Sequence, residues 1–395
     1  MKNLSFFVLG ALLFSFAPFI SLKGQTEFKE YWDNGKVSTQ GSKTSVGTRE
    51  GQWQWFYKSG SLQREGTYDD KGKKIGLWKD YFPNGQLMKQ ECFDTQGEEK
   101  AYYDNGQLYY QITIKNDKKE GSYTEYTKEG KVKMTSAYVN GNLEGVSVFW
   151  YDSGLKEMEG SFVQGKRNGH WKYYYRENGS LGSEGDFVND KENGLWVYYY
   201  QTKEKWREGA YANGKREGKW ITLYESGKTL HEGEYKNGLE EGVWISYFEN
   251  GTIQDKGSFS EGKMNGKWIS NYDNGNLKTQ CSYSQGLKNG EETLYNENKV
   301  LIQKANYKKG VLDGSFEQYT DKGTLVVKAN YKEGKQNGKT SFYYKQGALM
   351  REQNFKMGEP DGSFVEYYEN GKKKQEGTFS NGQIISSSVK KYDSK

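Results

Sequence analysis

The chain has 395 residues, a formal charge of +5, and a hydrophobic content of 33%, which is low for a protein with one thick core. Aromatic residues make up 16% of the chain and recur regularly, which argues against disorder despite the high charge content. Lysine and glutamate alternate, and the longest basic run is only Lys372 to Lys374, so the sequence argues against a nucleic-acid-binding protein.

The first 24 residues differ from everything that follows them. Lys2 provides a short positive start, and an apolar run extends from Leu4 to Ile20. This pattern predicts a secretory signal peptide over residues 1–24, with cleavage before Gln25. The alternative is an uncleaved membrane anchor. We therefore expect an exported protein, located in the periplasm or at the cell surface.

The rest of the chain, over residues 26–385, consists of repeats of about 24 residues. A spacing of this kind predicts a repeat architecture rather than a single packed domain. A polar tail, residues 386–395, follows the last repeat. The fifteen repeats begin at Thr26, Gly51, Gly76, Gly97, Gly121, Gly145, Gly169, Gly194, Gly218, Gly242, Gly266, Gly290, Gly314, Gly338 and Gly362.

Each repeat predicts a β-hairpin, as the segment from Gly218 to Glu241 illustrates. When positions are counted from the first glycine, aromatic residues occupy position 3 and positions 6 and 7, and Ser-Gly or Asn-Gly follows at positions 9 and 10. Two strand-length runs separated by such a dipeptide predict a hairpin with a two-residue turn. This register places Trp220 opposite Gly233, so that the ring covers the bare glycine backbone. The predicted fold is all-β, an elongated array of antiparallel hairpins in a single-layer twisted sheet.

The string from Tyr235 to Tyr247 contains Asn237-Gly238, Gly242 and Trp244 at fixed spacings. This string resembles the MORN repeat, and more closely its bacterial variant form. The resemblance covers essentially all of residues 26–385 and implies the same array of hairpins. Bacterial proteins of this kind are often labelled antitoxin components of toxin–antitoxin pairs, so the resemblance also implies a protein partner.

Residues that could support catalysis or bind a metal are scarce in the sequence. The only two histidines, His170 and His231, lack a neighbouring nucleophile or metal-ligand spacing, and we interpret both as surface variation. Cys92 and Cys281 lie eight repeats apart, too far for a disulfide in an extended array. We therefore expect a protein that is not an enzyme and that has no cofactor and no metal.

The function predicted from the sequence is a scaffold that binds another protein. The alternatives are binding to glycan or peptidoglycan and binding to phospholipid, and pairing of two chains along an edge strand is also left open. The predicted binding residues are five tryptophans at position 3 of successive repeats, which would form an aromatic strip. The competing interpretation is that each ring only packs against its own glycine. These residues are Trp171, Trp196, Trp220, Trp244 and Trp268.

Overall fold

The computed structural model of this chain describes residues 26–93 and 96–393. The predicted signal peptide, residues 1–24, lies outside the described residues. No helix in the described part of the chain has both the length and the apolar character needed to cross a membrane. The described residues form antiparallel β-strands and one short 3-10 turn, so the prediction of an all-β array of hairpins is confirmed.

The chain divides between Gly154 and Leu155 into two compact bodies. In the N-terminal body, each strand pairs antiparallel with the next strand along the chain. The strands of this body are β1 (Thr26–Tyr31), β2 (Val37–Lys43), β3 (Arg49–Phe56), β4 (Leu62–Tyr68), β5 (Lys74–Tyr81), β6 (Leu87–Cys92), β7 (Gln96–Tyr102), β8 (Leu108–Lys115), β9 (Lys118–Tyr126), β10 (Val132–Val139) and β11 (Asn142–Trp150).

The C-terminal body is also an antiparallel meander, in which most strands have eight or nine residues and four have only two. Its strands are β12 (Lys156–Val163), β13 (Lys166–Tyr174), β14 (Leu181–Val188), β15 (Lys191–Tyr199), β16 (Lys205–Ala212), β17 (Lys215–Leu223), β18 (Thr229–Lys236), β19 (Leu239–Tyr247), β20 (Ile253–Ser260), β21 (Lys263–Asn271), β22 (Leu277–Ser284), β23 (Leu287–Lys288), β24 (Gly290–Tyr295), β25 (Leu301–Lys308), β26 (Val311–Tyr319), β27 (Leu325–Lys332), β28 (Lys335–Gln336), β29 (Gly338–Tyr343), β30 (Leu349–Lys356), β31 (Glu359–Tyr367), β32 (Lys373–Ser380), β33 (Gln383–Ile384) and β34 (Lys390–Lys391). The 3-10 turn, Ser386–Ser388, and strand β34 fall within the polar tail, and β34 pairs with β32.

The turn that joins the two strands of a hairpin differs from the predicted two-residue turn, as the hairpin of β17 and β18 shows. Between β17 and β18, Tyr224 N–H donates to the Lys228 carbonyl at 2.8 Å, so the loop contains three residues. Its last residue, Gly227, has a φ of +80°, the left-handed conformation that ends a three-residue hairpin loop. The two-residue prediction at positions 9 and 10 is therefore wrong.

The predicted pairing of Trp220 with Gly233 is nevertheless confirmed. The pairing shifts by one residue between Thr222 and Leu223, where the structure has a β-bulge. The extra loop residue and the bulge offset each other, because each moves the register by one residue in opposite directions. The sequence thus predicts the correct partner through an incorrect turn.

The two-residue turn with positive φ at both positions occurs instead between hairpins. Asn237 and Gly238 have φ values of +52° and +87° and connect β18 to β19. A second bulge follows at Gly242, where φ is +68° and a residue with a side chain would be strained. Both turns and both bulges recur along the regular repeats, and they keep successive hairpins in the same register.

One face of the sheet holds the buried side chains. Successive residues of a strand point to opposite faces, so Trp220 and Thr222 share a face with Gly233 and Tyr235 on the next strand. We call this the tryptophan face, meaning the face that carries position 3 of every repeat. Trp220 and Thr222 are 3% and 5% exposed, whereas Lys219 between the strand start and Trp220 is exposed on the other face.

Each tryptophan at position 3 covers the glycine of the preceding repeat rather than the glycine of its own hairpin. A Cβ atom added to Gly209 would overlap the ring of Trp220, and the indole N–H of Trp220 donates to the Ala210 carbonyl at 3.0 Å. Gly233 is covered in the same way by Trp244. The prediction that Trp220 covers Gly233 is therefore wrong. Trp220 has a glycine partner on both neighbouring strands, and the strand register alone does not decide toward which one the ring leans.

The residue type at position 16 of one repeat varies together with the residue type at position 3 of the next repeat. Within the described residues, every tryptophan shown to cover a glycine at position 16 belongs to the following repeat. Where position 16 is larger than glycine, the following repeat has a residue other than tryptophan. The glycine–tryptophan pairs are Gly41–Trp53, Gly66–Trp78, Gly160–Trp171, Gly185–Trp196, Gly209–Trp220, Gly233–Trp244 and Gly257–Trp268. The other pairs are Glu91–Glu99, Ile112–Tyr123, Ser136–Ser147, Cys281–Glu292, Ala305–Phe316, Ala329–Thr340 and Gln353–Phe364.

Candidate functional site

A row of side chains crosses the tryptophan face of the C-terminal body at right angles to the strands. Its members are direct cross-strand neighbours, so their Cβ atoms lie about 4.5–5.5 Å apart. They occupy positions 5 and 14 of the repeats, and we call them the transverse row. In the middle of the body, the row runs through Tyr198, Arg207, Thr222, His231, Ser246, Asp255, Ser270 and Thr279.

The transverse row changes from repeat to repeat, whereas the tryptophans and glycines beside it recur. Over these same strands, position 3 is always tryptophan, but position 14 changes from Arg207 to His231 to Asp255. A binding surface is expected where charged side chains differ from repeat to repeat while the residues that pack the sheet stay the same. The row is therefore the candidate functional site.

Arg207 is the most unusual member of the row. Its guanidinium lies 4.5 Å from the ring centre of Tyr198, 4.7 Å from Trp206 and 5.5 Å from Trp220. Among the ion pairs of the described residues, none involves Arg207. Its Nε atom is closed to solvent and has no hydrogen-bond partner. Arg207 is thus a cation held by aromatic rings alone.

Two further basic groups surround the same tryptophan. Arg216 lies 4.8 Å from the ring centre of Trp220 and donates from Nη1 to the hydroxyl of Tyr235 at 2.9 Å. The pKa of His231 is lowered by burial and by the charges of Arg207 and Arg216, which favours the neutral imidazole. This part of the row therefore carries positive charge.

The next part of the row is acidic and fully hydrogen-bonded. Asp255 accepts hydrogen bonds from the hydroxyl of Ser246, at 3.0 Å, and from the hydroxyl of Ser270. Both donors are neutral hydroxyls, and no ion pair among the described residues involves Asp255. The row therefore changes from basic at Arg207 on β16 to acidic at Asp255 on β20, and this charge asymmetry could orient a binding partner.

The five predicted tryptophans lie on the same face as the transverse row. Trp171, Trp196 and Trp220 are 0%, 4% and 3% exposed, whereas Trp244 and Trp268 are half-buried. Part of the predicted strip exists as a chain of ring contacts. Its successive ring centres are 6.2, 6.2, 6.0 and 6.4 Å apart, in the order Trp171, Tyr173, Trp196, Tyr198 and Trp220. The burial of the first three tryptophans favours the packing interpretation for them, and a binding role for the five rings stays a prediction.

Eight segments of the chain match the family model described as MORN repeat variant. The matched segments are residues 49–70, 74–94, 95–116, 216–237, 240–261, 264–285, 288–309 and 360–381. Together these segments cover less than half of the chain, so the match describes the segments rather than the whole chain. The resemblance predicted from this string is confirmed for the segments that hold Asn237, Gly242 and Trp244, and Gly238 lies between two of the matched segments. Residues 117–215 lie outside the matches, yet Trp196 and Gly185 pair there as Trp220 and Gly209 do, so the MORN geometry extends beyond the matched segments.

Comparison with solved structures finds only distant similarity. A crystal structure of a TcdB2–TccC3–Cdc42 assembly is 12% identical, with 92% of this chain and 24% of that chain covered and a TM-score of 0.15. A Tc holotoxin pore from Photorhabdus luminescens is 12% identical, with 88% and 18% covered and a TM-score of 0.15. A crystal structure of TcdB2–TccC3 without its hypervariable C-terminal region is 11% identical, with 91% and 27% covered and a TM-score of 0.16.

The chain spans between 18% and 27% of the length of those solved chains. TM-scores this low carry no information about the function of the MORN repeats. No curated protein matches the chain.

The sequence did not predict a role for the charged residues of the transverse row, Arg207 and Asp255, or for the neighbouring Arg216. Arg207, Arg216 and Asp255 do not form a motif, and each resembles ordinary surface charge in a polar sequence. A repeat-by-repeat alignment would have singled out Arg207 and Asp255, because position 14 changes charge there while position 3 stays constant. No pattern in the sequence marks Arg216 as a neighbour of Arg207.

His170 lies on the opposite face and belongs to a different cluster. Its Nδ1 atom lies 2.9 Å from Asp186 Oδ1 and its Nε2 atom 3.2 Å from Glu184 Oε2. Burial lowers the pKa of His170, but the hydrogen bonds and charges of Asp186 and Glu184 outweigh it, so the net pKa is raised. Glu184 also accepts a hydrogen bond from the hydroxyl of Tyr199 at 2.7 Å. The cluster places the His170 ring between two carboxylates, an arrangement that favours the protonated imidazole.

We expect His170 to contribute stability that depends on pH. A histidine whose folded pKa is raised stabilises the fold below its unfolded pKa, near 6.5, and loses that contribution as the pH rises through the folded pKa. His170→Ala should therefore reduce the free energy of unfolding more at about pH 5.5 than at about pH 8, by less than about 1 kcal/mol because the site is exposed. Chemical denaturation of both proteins at the two pH values is the measurement. A difference between them that does not change with pH would contradict this prediction.

Proposed function

We propose that this chain is an exported, non-enzymatic repeat scaffold that binds another protein through the transverse row. The observation that supports this most directly is the contrast between positions 3 and 14 in the C-terminal body. The packing of Trp220 on Gly209 recurs in the neighbouring repeats, whereas position 14 in the transverse row changes from Arg207 to His231 to Asp255. Repeat proteins present extended surfaces of this kind to their partners.

The chemistry of the row fits a protein partner better than the alternatives. Arginine and tyrosine, both present as Arg207 and Tyr198, are the residue types enriched at the centres of protein interfaces. Asp255 lies in the same row and would repel the phosphate groups of a phospholipid surface. A glycan would need open aromatic rings, but Trp171, Trp196 and Trp220 are buried and only Trp244 and Trp268 are half-buried. The antitoxin label of similar sequences has no support from the family match and is not part of the proposal.

The test is capture of the partner from envelope extracts of the native host by the mature chain. Arg207→Gln and Asp255→Asn change the charge of the row with little change in shape, and each should abolish capture while the melting temperature stays nearly unchanged. Lys267→Gln is the matched control, because Lys267 is exposed at position 2 on the opposite face. This control should capture the partner normally.

The alternatives are tested in parallel with the same three variants. Insoluble polysaccharide and phospholipid vesicles are each sedimented with the mature chain. Sedimentation with either material, combined with no captured protein, would overturn the proposed function. Capture that is equal for Arg207→Gln, Asp255→Asn and the wild type would place the protein-binding surface outside the transverse row.

A further inference from the structure

Three arginines occupy position 14 in the described repeats, and two of them have an acidic partner. Arg64 donates from Nε to Asp80 Oδ1 and from Nη2 to Asp80 Oδ2, the latter at 3.0 Å. Arg351 Nη1 lies 3.3 Å from Glu366 Oε1. In both cases the carboxylate stands at position 5 of the following repeat, directly across the strand boundary. The geometry of the repeat thus provides a fixed place for the counter-charge of this arginine.

Arg207 is the third arginine, and Thr222 occupies the place of its counter-charge. The register pairs Arg207 with Thr222 just as it pairs Arg64 with Asp80. Thr222 is 5% exposed and has no charge. The Nε atom of Arg207 has no hydrogen-bond partner, whereas the Nε atom of Arg64 donates to Asp80. The Nε atom of Arg351 also lacks a partner although Arg351 is paired with Glu366, so the feature that sets Arg207 apart is the missing ion pair. A buried donor without a partner is unfavourable, and an external acceptor beside Arg207 would satisfy it.

No acidic side chain nearby replaces the missing carboxylate. Glu208, the next residue, points to the opposite face and pairs with Lys205 at 2.8 Å. Glu217, beside Arg216, accepts a hydrogen bond from the backbone N–H of Asn237 at 2.8 Å. Arg216 has no ion pair among the described residues either, and it shares the ring of Trp220 with Arg207. Two arginines therefore lie around one tryptophan without a counter-ion.

We propose that Arg207 and Arg216 form a binding site for an external oxyanion, a carboxylate, sulfate or phosphate group. The oxyanion would occupy the place beside Arg207 that Asp80 occupies beside Arg64. Hydrogen bonds between a guanidinium and an oxyanion are charge-assisted and are commonly bidentate, as at Arg64. The rings of Tyr198 and Trp206 hold the guanidinium in place before the anion arrives, which lowers the cost of binding.

The site does not depend on the proposed function, because a small anion can bind whether or not a protein partner exists. The mature full-length chain is titrated separately with sodium sulfate, sodium phosphate and sodium acetate, with sodium chloride keeping the ionic strength constant. Tryptophan fluorescence reports binding, because the site lies against Trp206 and Trp220. Sulfate or phosphate binding indicates a tetrahedral ligand, and acetate binding indicates a carboxylate.

Two variants test the site by independent routes. Arg207→Gln removes the cation and should weaken binding of the anion by roughly tenfold or more. Thr222→Asp supplies the internal carboxylate that Asp80 supplies to Arg64, and it should abolish binding while the melting temperature stays constant or rises. Lys267→Gln removes one positive charge from the opposite face and should bind as the wild type does.

The proposal is overturned if the wild type shows no saturable response to any of the three anions. It is also overturned if Arg207→Gln and Thr222→Asp both bind as tightly as Lys267→Gln. Loss of anion binding in these variants with normal capture of a protein partner would support the anion site and reject the transverse row as the protein-binding surface. The two proposals therefore fail by different results.

Discussion

We expect Trp220→Ala to lower the free energy of unfolding by about 2–4 kcal/mol. This is somewhat less than the loss for a tryptophan in a thick core, because a single sheet surrounds the ring on fewer sides. The change removes a buried ring, exposes the backbone at Gly209, and leaves the Ala210 carbonyl without the indole N–H that it accepts at 3.0 Å. Denaturant unfolding of the variant and the wild type measures the loss.

The strands in which amide exchange rises show whether Trp220 covers Gly209 or Gly233. Because the ring lies over Gly209, amide exchange should rise first in β16 and β17 rather than at Gly233 in β18. Trp244→Ala is the graded comparison, since Trp244 covers Gly233 but is only half-buried, and we expect a smaller loss. Exchange that rises evenly over the whole C-terminal body would contradict the local coupling of repeats.

The second large effect is expected for Gly209→Ala. The backbone of Gly209 is not in the left-handed region, so alanine meets no conformational strain there. Its Cβ atom would instead overlap the ring of Trp220, and forcing a methyl group into this contact should cost about 1–3 kcal/mol. The chain already contains the compatible combination at Ala305 and Phe316, which are paired neighbours in the same register.

A double-mutant cycle tests this explanation. Trp220→Phe should relieve the overlap, so Gly209→Ala combined with Trp220→Phe should be more stable than the sum of the two single losses predicts. Thermal or denaturant unfolding of the four proteins gives the coupling free energy. Strictly additive losses would mean that the side chain at position 16 and the ring of the next repeat do not interact, contrary to the structure.

The candidate site was only partly predictable from the sequence. The recurrence of tryptophan at position 3 identified Trp220 and its neighbours, and their shared face is confirmed by the register. The importance of Arg207 was not predictable from local sequence. Arg207 is unusual because Thr222 lies across from it, in the position that Asp80 occupies across from Arg64. Thr222 is fifteen residues later in the chain. Such a relation appears only when strands from adjacent repeats are laid side by side.

The sequence by itself determined the all-β class, the hairpin repeat and the pairing of Trp220 with Gly233. These follow from local chemistry: the alternation of aromatic residues sets the strand faces, and the spacing of Gly227 and Gly238 sets the turns. Local chemistry also predicted a two-residue turn with positive φ, but the prediction placed it at positions 9 and 10 inside the hairpin, which is wrong. The structure places that turn at Asn237-Gly238, between hairpins, and a three-residue loop at Gly227.

Only the tertiary structure decided which glycine each tryptophan covers. Trp220 has Gly209 on one neighbouring strand and Gly233 on the other, and both are compatible with the hydrogen-bonding register. The choice depends on where a large planar ring finds room and where its N–H finds an acceptor, and the Ala210 carbonyl of the preceding repeat satisfies both. The same packing between repeats leaves Arg207 next to a threonine, because side chains on adjacent repeats meet only after the hairpins have assembled.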